Sequence, residues 1–199
     1  NVSQDESYVY FYLSDGTILI LPKKNETNIE FEDLLVKYNC CKYWDTNNDG
    51  ELSYAEAAAV ESIHDANFDS EIVAFTEFKY FTGIKVIPYQ NEIFRSSLLF
   101  RVELPIGVEE IETCGFIACK NLRYIKIPNS VKLIGRWAFT GAMGSCTGGA
   151  VFTSVVLGDS VESIGERAFY VESLKTIYCK SLTPPKGAEE MFFQPYRIY

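Results

Sequence analysis

Several features that mark common classes of protein are scarce or absent in this sequence of 199 residues. His64 is the only histidine, and no Gly-x-Ser-x-Gly or Cys-His signature surrounds it, so we expect a polar or capping residue and no enzyme activity. Walker and dinucleotide-binding glycine patterns are also missing. No apolar run approaches the roughly 18 to 20 residues of a membrane span, so we expect none in this chain.

Positive charge is in deficit as well. Lysine and arginine number 18 against 27 aspartate and glutamate residues, and the net charge of -9 argues against a nucleic-acid partner, whose phosphates would be repelled. The apolar content of 47% and aromatic content of 15% suffice for a buried core. The sequence begins at Asn1 and not at Met, so we expect a mature chain from which an export leader or anchor has been removed.

The six cysteines follow no metal-binding pattern. Cys40 and Cys41 are adjacent, and the others lie far apart in the sequence except for Cys114 and Cys119. These spacings match neither a zinc site nor a dense disulfide framework, which favours buried free thiols. A disulfide between Cys114 and Cys119 remains an open alternative.

A short unit occurs three times between residues 100 and 169. Its phenylalanines, Phe116, Phe139 and Phe169, are 23 and 30 residues apart, and a glycine-rich excursion over 141–151 accounts for the 7 additional residues. A unit of this length cannot bury its own apolar face, so each copy must pack on the next. The sequence therefore predicts a stacked solenoid with the phenylalanines in its core.

Alternation within the units assigns side chains to the inside or the outside. The predicted inward residues are Val102, Leu104, Ile125, Ile127, Val155, Leu157, Ile177 and Cys179. Two neighbouring outward columns are also predicted. One consists of Glu103, Lys126, Val156 and Tyr178, and the other consists of Arg101, Tyr124, Ser154 and Thr176. A third column, Glu109, Lys132, Glu162, alternates in sign, which favours stacking in register, although solvated edge charges would show the same pattern.

The residues before the repeats predict a different architecture. Two β-rich runs, 8–13 and 17–21, flank a Ser-Asp-Gly turn and predict a hairpin. Thr27 and Glu30 have capping-box spacing ahead of a helix with apolar residues at 31, 34, 35, 38 and 41. A second helix is predicted through residues 57, 60 and 63. We therefore predict an α+β chain with a hairpin and helix-loop-helix in 1–70 and a leucine-rich-repeat solenoid in 71–199.

Residues 45–56 match the twelve-residue calcium loop of EF-hands at every ligand position. The predicted ligands are Asp45, Asn47, Asp49, the Glu51 carbonyl, Ser53 directly or through water, and Glu56 as a bidentate carboxylate, while Gly50 permits the turn. The alternative is that Ser53 and Glu56 form only a capping box. Because no partner hand is present, Leu52 is expected to pack on the hairpin or the solenoid, and Ca²⁺ to brace the fold.

The units over 125–139 and 161–169 resemble the leucine-rich repeats of BspA-like bacterial surface proteins. Residues 54–60 and 75–83 are similar to the N-terminal regions of such proteins in Bacteroides-type gut bacteria. Glu112 departs from the pattern, because Gly135 and Gly165 occupy its position in the next two units. The resemblance implies export, often with a lipid anchor, and a role in adhesion or ligand binding at the cell surface, without naming a ligand.

These observations favour a calcium-braced, extracellular binding or adhesion module for a protein or glycan ligand. Solenoid insertions map to loops that often bind, and exposed aromatic side chains offer rigid contact area. The candidate ligand-binding residues are Tyr124, Trp137, Ser145 and Tyr178. The alternative is a glycan-acting hydrolase or accessory subunit whose site is assembled across the repeats.

Overall fold

The structure, a computed structural model, describes most of the chain. The described residues are 2–4, 8–12, 18–22, 27–68, 71–89, 93–94, 98–117, 119, 121–123, 125–140, 153–171 and 173–187, the first three ranges by their backbone alone. The helices in these ranges are α1, Leu34–Trp44, α2, Tyr54–Ala59, and a 3₁₀ helix, Thr76–Tyr80. Tyr124, Ser145, Cys146 and the glycine-rich excursion lie outside the described residues.

The strands fall into an N-terminal group and a repeat group. The N-terminal strands are β1 Val2–Gln4, β2 Tyr8–Tyr12 and β3 Ile18–Pro22. The repeat strands are β4 Ala74–Phe75, β5 Val86–Ile87, β6 Arg101–Val102, β7 Glu110–Ile111, β8 Ile125–Lys126, β9 Leu133–Ile134, β10 Ser154–Leu157, β11 Ser163–Ile164 and β12 Thr176–Cys179.

The predicted N-terminal hairpin is confirmed in its strands. β2 and β3 pair antiparallel with Tyr8 opposite Pro22 and Tyr12 opposite Ile18. β1 adds a third antiparallel strand on the other side of β2, which the sequence pattern did not predict. The predicted turn residues, 14–16, are outside the described residues.

The predicted start of the first helix is wrong. Asp33 is the N-cap, and its Oδ1 accepts the N–H of Leu35 at 2.9 Å. Thr27 lies instead in an extended segment, where its carbonyl accepts the Tyr54 N–H at 2.8 Å and Ile29 donates to the Leu52 carbonyl at 2.8 Å. The long-range pairing of 27–29 therefore overrides the local capping-box spacing.

The apolar face predicted for this helix is wrong in part, because Phe31, Leu35 and Cys41 pack against the core but the other two predicted residues do not. Val36, Asn39 and Cys40 are its buried residues, whereas Leu34 and Tyr38 are 76% and 64% exposed. The predicted second helix is too long, because α2 ends at Ala59. Gly83 of the solenoid packs against the end of α2, where an added Cβ would lie 2.5 Å from the Val60 carbonyl oxygen.

The repeats stack in register as parallel ladders. β8, β10 and β12 form one sheet, with Ile125, Val155 and Ile177 at one level, and β5, β7, β9 and β11 form a second. β4 pairs parallel with β6. The predicted inward residues are buried except Cys179, which is half-buried at the end of its ladder. The structure therefore confirms a solenoid, whose first paired strand begins at Ala74.

Four phenylalanine rings form a stack along the core. Successive centroids of Phe94, Phe116, Phe139 and Phe169 are 4.8, 5.1 and 5.0 Å apart, with interplanar angles of 23°, 10° and 7°. All four residues are fully buried. The stack confirms the predicted core position of the last three rings and adds Phe94, which the repeat alignment missed. The buried residues from Ile29 to Ile177 form one cluster, so the division at residue 70 stays a prediction.

The alternating charges also stack in register. Backbone hydrogen bonds of 2.7 to 2.9 Å connect five residues from successive turns of the solenoid, in the order Lys85, Glu109, Lys132, Glu162 and Lys186. Lys132 Nζ lies 3.0 Å from Glu109 Oε2. The predicted three-residue column is therefore part of a longer one with a lysine at each end, and opposite charges adjoin at every step.

Close packing between turns explains the glycine at the position of Gly135. A Cβ there would lie 2.3 Å from the backbone nitrogen of Thr113, a distance that folded proteins do not tolerate. Glu112, at the same position one repeat earlier, instead uses its side chain, whose Oε2 accepts the Tyr89 N–H at 2.7 Å. The departure from the family pattern thus provides a hydrogen bond at the start of the solenoid.

The cysteines that the structure describes are free. Cys114 and Cys119 do not form the disulfide left open above, and Cys119 Sγ lies 2.6 Å from the Phe94 carbonyl oxygen. Burial raises the pKa of both Cys40 and Cys119 well above the usual thiol range, so these thiols are unreactive. No helix in the described part of the chain has the length and apolar character needed to cross a membrane.

Candidate calcium loop and ligand face

The predicted calcium ligands lie in the connection between α1 and α2. Asp45 is the C-cap of α1, with its N–H donating to the Cys41 carbonyl at 3.2 Å. Ser53 is the N-cap of α2, and its hydroxyl lies 3.1 Å from the Glu56 backbone nitrogen. The predicted ligands therefore lie between two helices, of which the second has 6 residues.

The first half of the loop is organised by its own side-chain oxygens. Asp45 accepts the N–H groups of Asn48 and Gly50 at 2.7 and 2.9 Å. Asn47 Oδ1 accepts the Asp49 N–H at 2.8 Å, and Asp49 Oδ1 in turn accepts an N–H at 2.8 Å. Gly50 has a φ of +82°, a region that glycine adopts without the steric cost of a Cβ.

One carboxylate connects the two ends of the loop. Glu56 Oε1 accepts the Thr46 N–H and hydroxyl at 2.9 and 2.8 Å, while Oε2 accepts the Ser53 N–H and hydroxyl, both at 2.9 Å. The Ser53 N–H, with the Ser53 hydroxyl and both Thr46 donors, lowers the pKa of Glu56 to about 2. The capping box that formed the alternative interpretation is therefore present.

The acidic side chains are not gathered around one point. Among the described residues, no three histidine, cysteine, aspartate or glutamate side chains form a group that could hold a metal ion. The Glu51 side chain pairs with Lys37 at 2.6 Å, which leaves its backbone carbonyl for the predicted ligand role. The structure thus shows the loop with its oxygens bonded to N–H and hydroxyl donors, and calcium binding stays a prediction.

Leu52 connects this loop to the rest of the fold. Its side chain is fully buried in the continuous core, and its carbonyl accepts the Ile29 N–H. The neighbouring residue, Ser53, forms an antiparallel bridge with Asn28. The backbone partner of the loop is therefore the extended segment 27–29, while the Leu52 side chain belongs to a core cluster that continues through the solenoid, as expected for packing on the solenoid.

Aromatic and charged contacts continue from α2 to the first repeat. The rings of Tyr54 and Tyr80 meet edge to face with centroids 4.7 Å apart. Lys79 Nζ lies 5.2 Å from the centre of the Tyr80 ring and 2.9 Å from Glu103 Oε2. Glu103 belongs to a predicted outward column, so the helix-loop-helix and the outer surface of the solenoid share one network of contacts.

The predicted ligand-binding residues are not all brought together. Tyr178 is 59% exposed and lies in register with Val156 and Lys126 on the sheet of β8, β10 and β12. Trp137 follows β9 of the other sheet, is half-buried, and has the Arg136 guanidinium 3.8 Å from its ring centre. Tyr124 and Ser145 are outside the described residues.

Trp137 also occupies a special backbone position. Its φ is +54°, and Cys114 and Arg167, two residues before the stacked rings of their own repeats, have φ values of +59° and +56°. The Trp137 N–H donates to the Glu166 carbonyl at 3.2 Å. The turn geometry therefore explains the placement of Trp137 without a ligand-binding role.

Sequence reasoning missed basic residues around the sheet that contains Tyr178. Arg123, Lys175 and Lys180 are exposed and flank the strands of this sheet. The 22-residue spacing between Val155 and Ile177 could have revealed these basic residues, because it places equivalent positions of successive repeats at one level of the sheet.

Comparison with protein-family profiles identifies the repeats. Residues 87–184 match the profile of the BspA type leucine rich repeat region (6 copies). A crystal structure of a leucine-rich repeat protein from Bacteroides ovatus is similar at 17% sequence identity and a TM-score of 0.35, with coverage of 88% of this chain and 40% of that one. This chain therefore spans less than half the length of that protein. A comparison with curated proteins found no match. Residues 87–184, just under half of the chain, are therefore similar to BspA-type leucine-rich repeats.

Proposed function

We propose that this protein is a calcium-braced binding module that presents its repeat surface to a glycan or protein ligand outside a bacterial cell. The observation that carries the proposal is the in-register row of Lys126, Val156 and Tyr178, which ends in a large exposed ring. The solenoid does not require a ring there, because Tyr178 faces away from the core. An exposed aromatic at low entropic cost is typical of recognition surfaces.

The repeat type supports the location. BspA-type leucine-rich repeats are typical of bacterial surface proteins, and stacked repeats provide extended surfaces suited to binding. Adhesion is the role we propose for this surface. The lipid anchor expected for an exported chain of this kind also belongs to the proposal.

Calcium is proposed to brace the N-terminal part of the fold. Asp45, Asn47, Asp49, the Glu51 carbonyl, Ser53 and Glu56 would hold the ion. Their fit rests on the donor set, which consists of hard oxygens at alternating positions around Gly50 with its φ of +82°. The ion would supply positive charge to a loop that carries the carboxylates of Asp45, Asp49 and Glu56. Because the loop bonds to 27–29, the ion would also stabilise that segment.

A binding screen tests the proposal. Purified protein would be applied to arrays of neutral and charged glycans and to extracellular-matrix proteins, and hits would be repeated with Tyr178→Ala. Tyr89→Ala is the matched control, because Tyr89 is 53% exposed but lies beside β5 in the other sheet. We expect loss of binding in the first variant alone. Equal binding by wild type and Tyr178→Ala would place the site elsewhere.

We also propose that the chain does not turn its ligand over. On the described solenoid surface, Glu103, Glu109 and Glu166 each form an ion pair, which does not favour a pair of carboxylates acting as acid and base. Incubation of each glycan hit with the protein, followed by product analysis, tests this point. Detectable cleavage would support the alternative of a glycan-acting hydrolase.

A further inference from the structure

The described cations differ in whether they form an ion pair with a described residue. Six described cations are paired with carboxylates: Lys37, Lys79, Arg101, Lys132, Arg136 and Arg167. Four others lie on or beside the sheet of β8, β10 and β12, and none of these four forms an ion pair with a described residue: Arg123, Lys126, Lys175 and Lys180. The three remaining described cations without an ion pair, Lys42, Lys85 and Lys186, are dispersed.

The parallel register brings these four cations to one sheet, where Arg123 and Lys175 precede the first residues of β8 and β12. Arg123 and Lys175 each lie two residues before Ile125 and Ile177, which occupy one level of the sheet. Because β10 lies between β8 and β12, the backbones of Arg123 and Lys175 are two strand spacings, or about 10 Å, apart. Lys126 lies in the Tyr178 row, and Lys180 follows β12 directly. All four side chains are exposed.

No acidic residue lies in the three strand segments of this sheet. The segments 123–128, 153–158 and 175–180 contain four cations and no aspartate or glutamate, although the whole chain has a net charge of -9. Glu103, in the neighbouring repeat, is already paired with Lys79 and Arg101. The sheet of β8, β10 and β12 is therefore a local positive surface on an acidic protein, and local charge of this kind attracts an anionic partner.

We propose that this surface, defined by Arg123, Lys126, Lys175, Lys180 and Tyr178, binds a polysaccharide bearing carboxylate or sulfate groups. The inference rests on the proposed binding function and specifies its ligand class. Cations whose backbones lie about 10 Å apart on a regular sheet suit a polymer with regularly repeated anionic groups.

The other exposed groups of the sheet favour a polysaccharide over an acidic peptide. Thr153, Ser154 and Thr176 carry hydroxyls at exposed or half-buried positions, where they can exchange hydrogen bonds with sugar hydroxyls. Tyr178 offers a ring face beside them. A peptide interface instead relies on buried apolar anchors, and Val156 is the one aliphatic residue among the outward positions of these strands.

Calorimetric titration with defined polymers tests the proposal. Polygalacturonic acid and heparin are the anionic probes, and dextran is the neutral one. Poly-glutamate and duplex DNA represent the other polyanions. We expect binding of at least one anionic polysaccharide, weakened by added salt because exposed charges are screened over about 10 Å at 0.1 M, and no binding of dextran, poly-glutamate or DNA.

A pair of double variants with the same net charge separates this surface from general charge effects. Lys126→Gln with Lys175→Gln should weaken polysaccharide binding by about tenfold or more. Lys85→Gln with Lys186→Gln, at the two ends of the charge column, should change it by less than about twofold. Thermal melts of both variants confirm that each is folded.

The outcomes of these experiments separate the polysaccharide assignment from the proposed binding function. Equal weakening in both double variants, or equal binding of poly-glutamate or DNA, would overturn the polysaccharide assignment. A neutral glycan or a protein that binds through Tyr178 would overturn it while leaving the proposed function standing. No binding to any probe or array component would count against both.

Discussion

The rings of Phe116 and Phe139 lie 5.1 Å apart with 10° between their planes, and the two residues occupy the same position in successive repeats. Phe139 has a second stacked neighbour in Phe169 at 5.0 Å. The stack is therefore continuous through the middle of the solenoid. Each inner ring is covered by the rings of two neighbouring repeats, which is the physical reason why a single repeat would not be stable alone.

Removing the middle ring should destabilise the whole solenoid. Phe139→Ala empties a fully buried position between two rings, and we expect a loss of roughly 3 to 5 kcal/mol in the free energy of unfolding. Lys132→Ala, in the same repeat but on the outer charge column, should have a much smaller effect because its ion pair is exposed. Urea melts of both variants provide the comparison. Similar losses would contradict the assignment of inside and outside.

The close contact at Gly135 predicts that alanine substitutions at the same position of two repeats differ in their effect on stability. Gly135→Ala places a Cβ 2.3 Å from the Thr113 nitrogen and 2.5 Å from the Glu112 carbonyl carbon, so the turns must separate. We expect destabilisation of about 1 to 3 kcal/mol or more. Glu112→Ala, at the same repeat position, is the control and should lose about 1 kcal/mol with its hydrogen bond to Tyr89. A Gly135→Ala protein as stable as wild type would rule out the observed spacing of the turns.

Asp33 should matter more than Thr27 for the first helix. Asp33 Oδ1 caps α1, while Oδ2 accepts the Val73 N–H at 2.7 Å and so connects the helix to the edge of the solenoid. Asp33→Ala should cost about 1 to 2 kcal/mol. Thr27→Ala should cost less, because the Thr27 backbone carbonyl, not its side chain, bonds to Tyr54. Denaturant melts showing the reverse order would contradict the observed helix start.

Stability should depend on pH through Glu56. Its pKa in the folded chain is lowered to about 2, so the ionised form stabilises the fold above the unfolded pKa, about 4.3, and this contribution disappears as the pH falls toward 2. In calcium-free buffer, wild type should lose more unfolding free energy than Glu56→Gln between pH 5 and pH 2.5 or so. Parallel pH profiles for the two proteins would show that the Glu56 hydrogen bonds contribute nothing.

The repeat core was predictable because its signal is periodic. Phe116, Phe139 and Phe169 recur with matching strand residues, and stacking follows from their spacing alone. Phe94 is 22 residues before Phe116 but was missed, because the strands of its own repeat, Ala74–Phe75 and Val86–Ile87, lack the pattern of the later units. Periodicity identifies regular repeats and loses the irregular one at the end.

The start of the first helix could not be predicted from the neighbouring residues alone. Thr27 and Asp33 are both acceptable caps, and the choice depends on the pairing of 27–29 with the end of the loop. The role of Glu56 is ambiguous for a related reason, because a calcium loop and a capping box use Ser53 and Glu56 at the same spacing. The basic surface required the strand register, since Lys126 and Lys175 are far apart in the sequence.

Calcium titration of the purified chain tests the central claim, a calcium-braced fold, most directly. Calorimetry should show one site with a dissociation constant of about 10⁻⁴ to 10⁻³ M, as expected for extracellular modules, and saturating calcium should raise the melting temperature. Glu56→Gln should abolish the rise, whereas Glu61→Gln, an exposed position beyond α2, should retain it. Absence of both binding heat and thermal shift at millimolar calcium would contradict the claim and leave Glu56 as a capping residue alone.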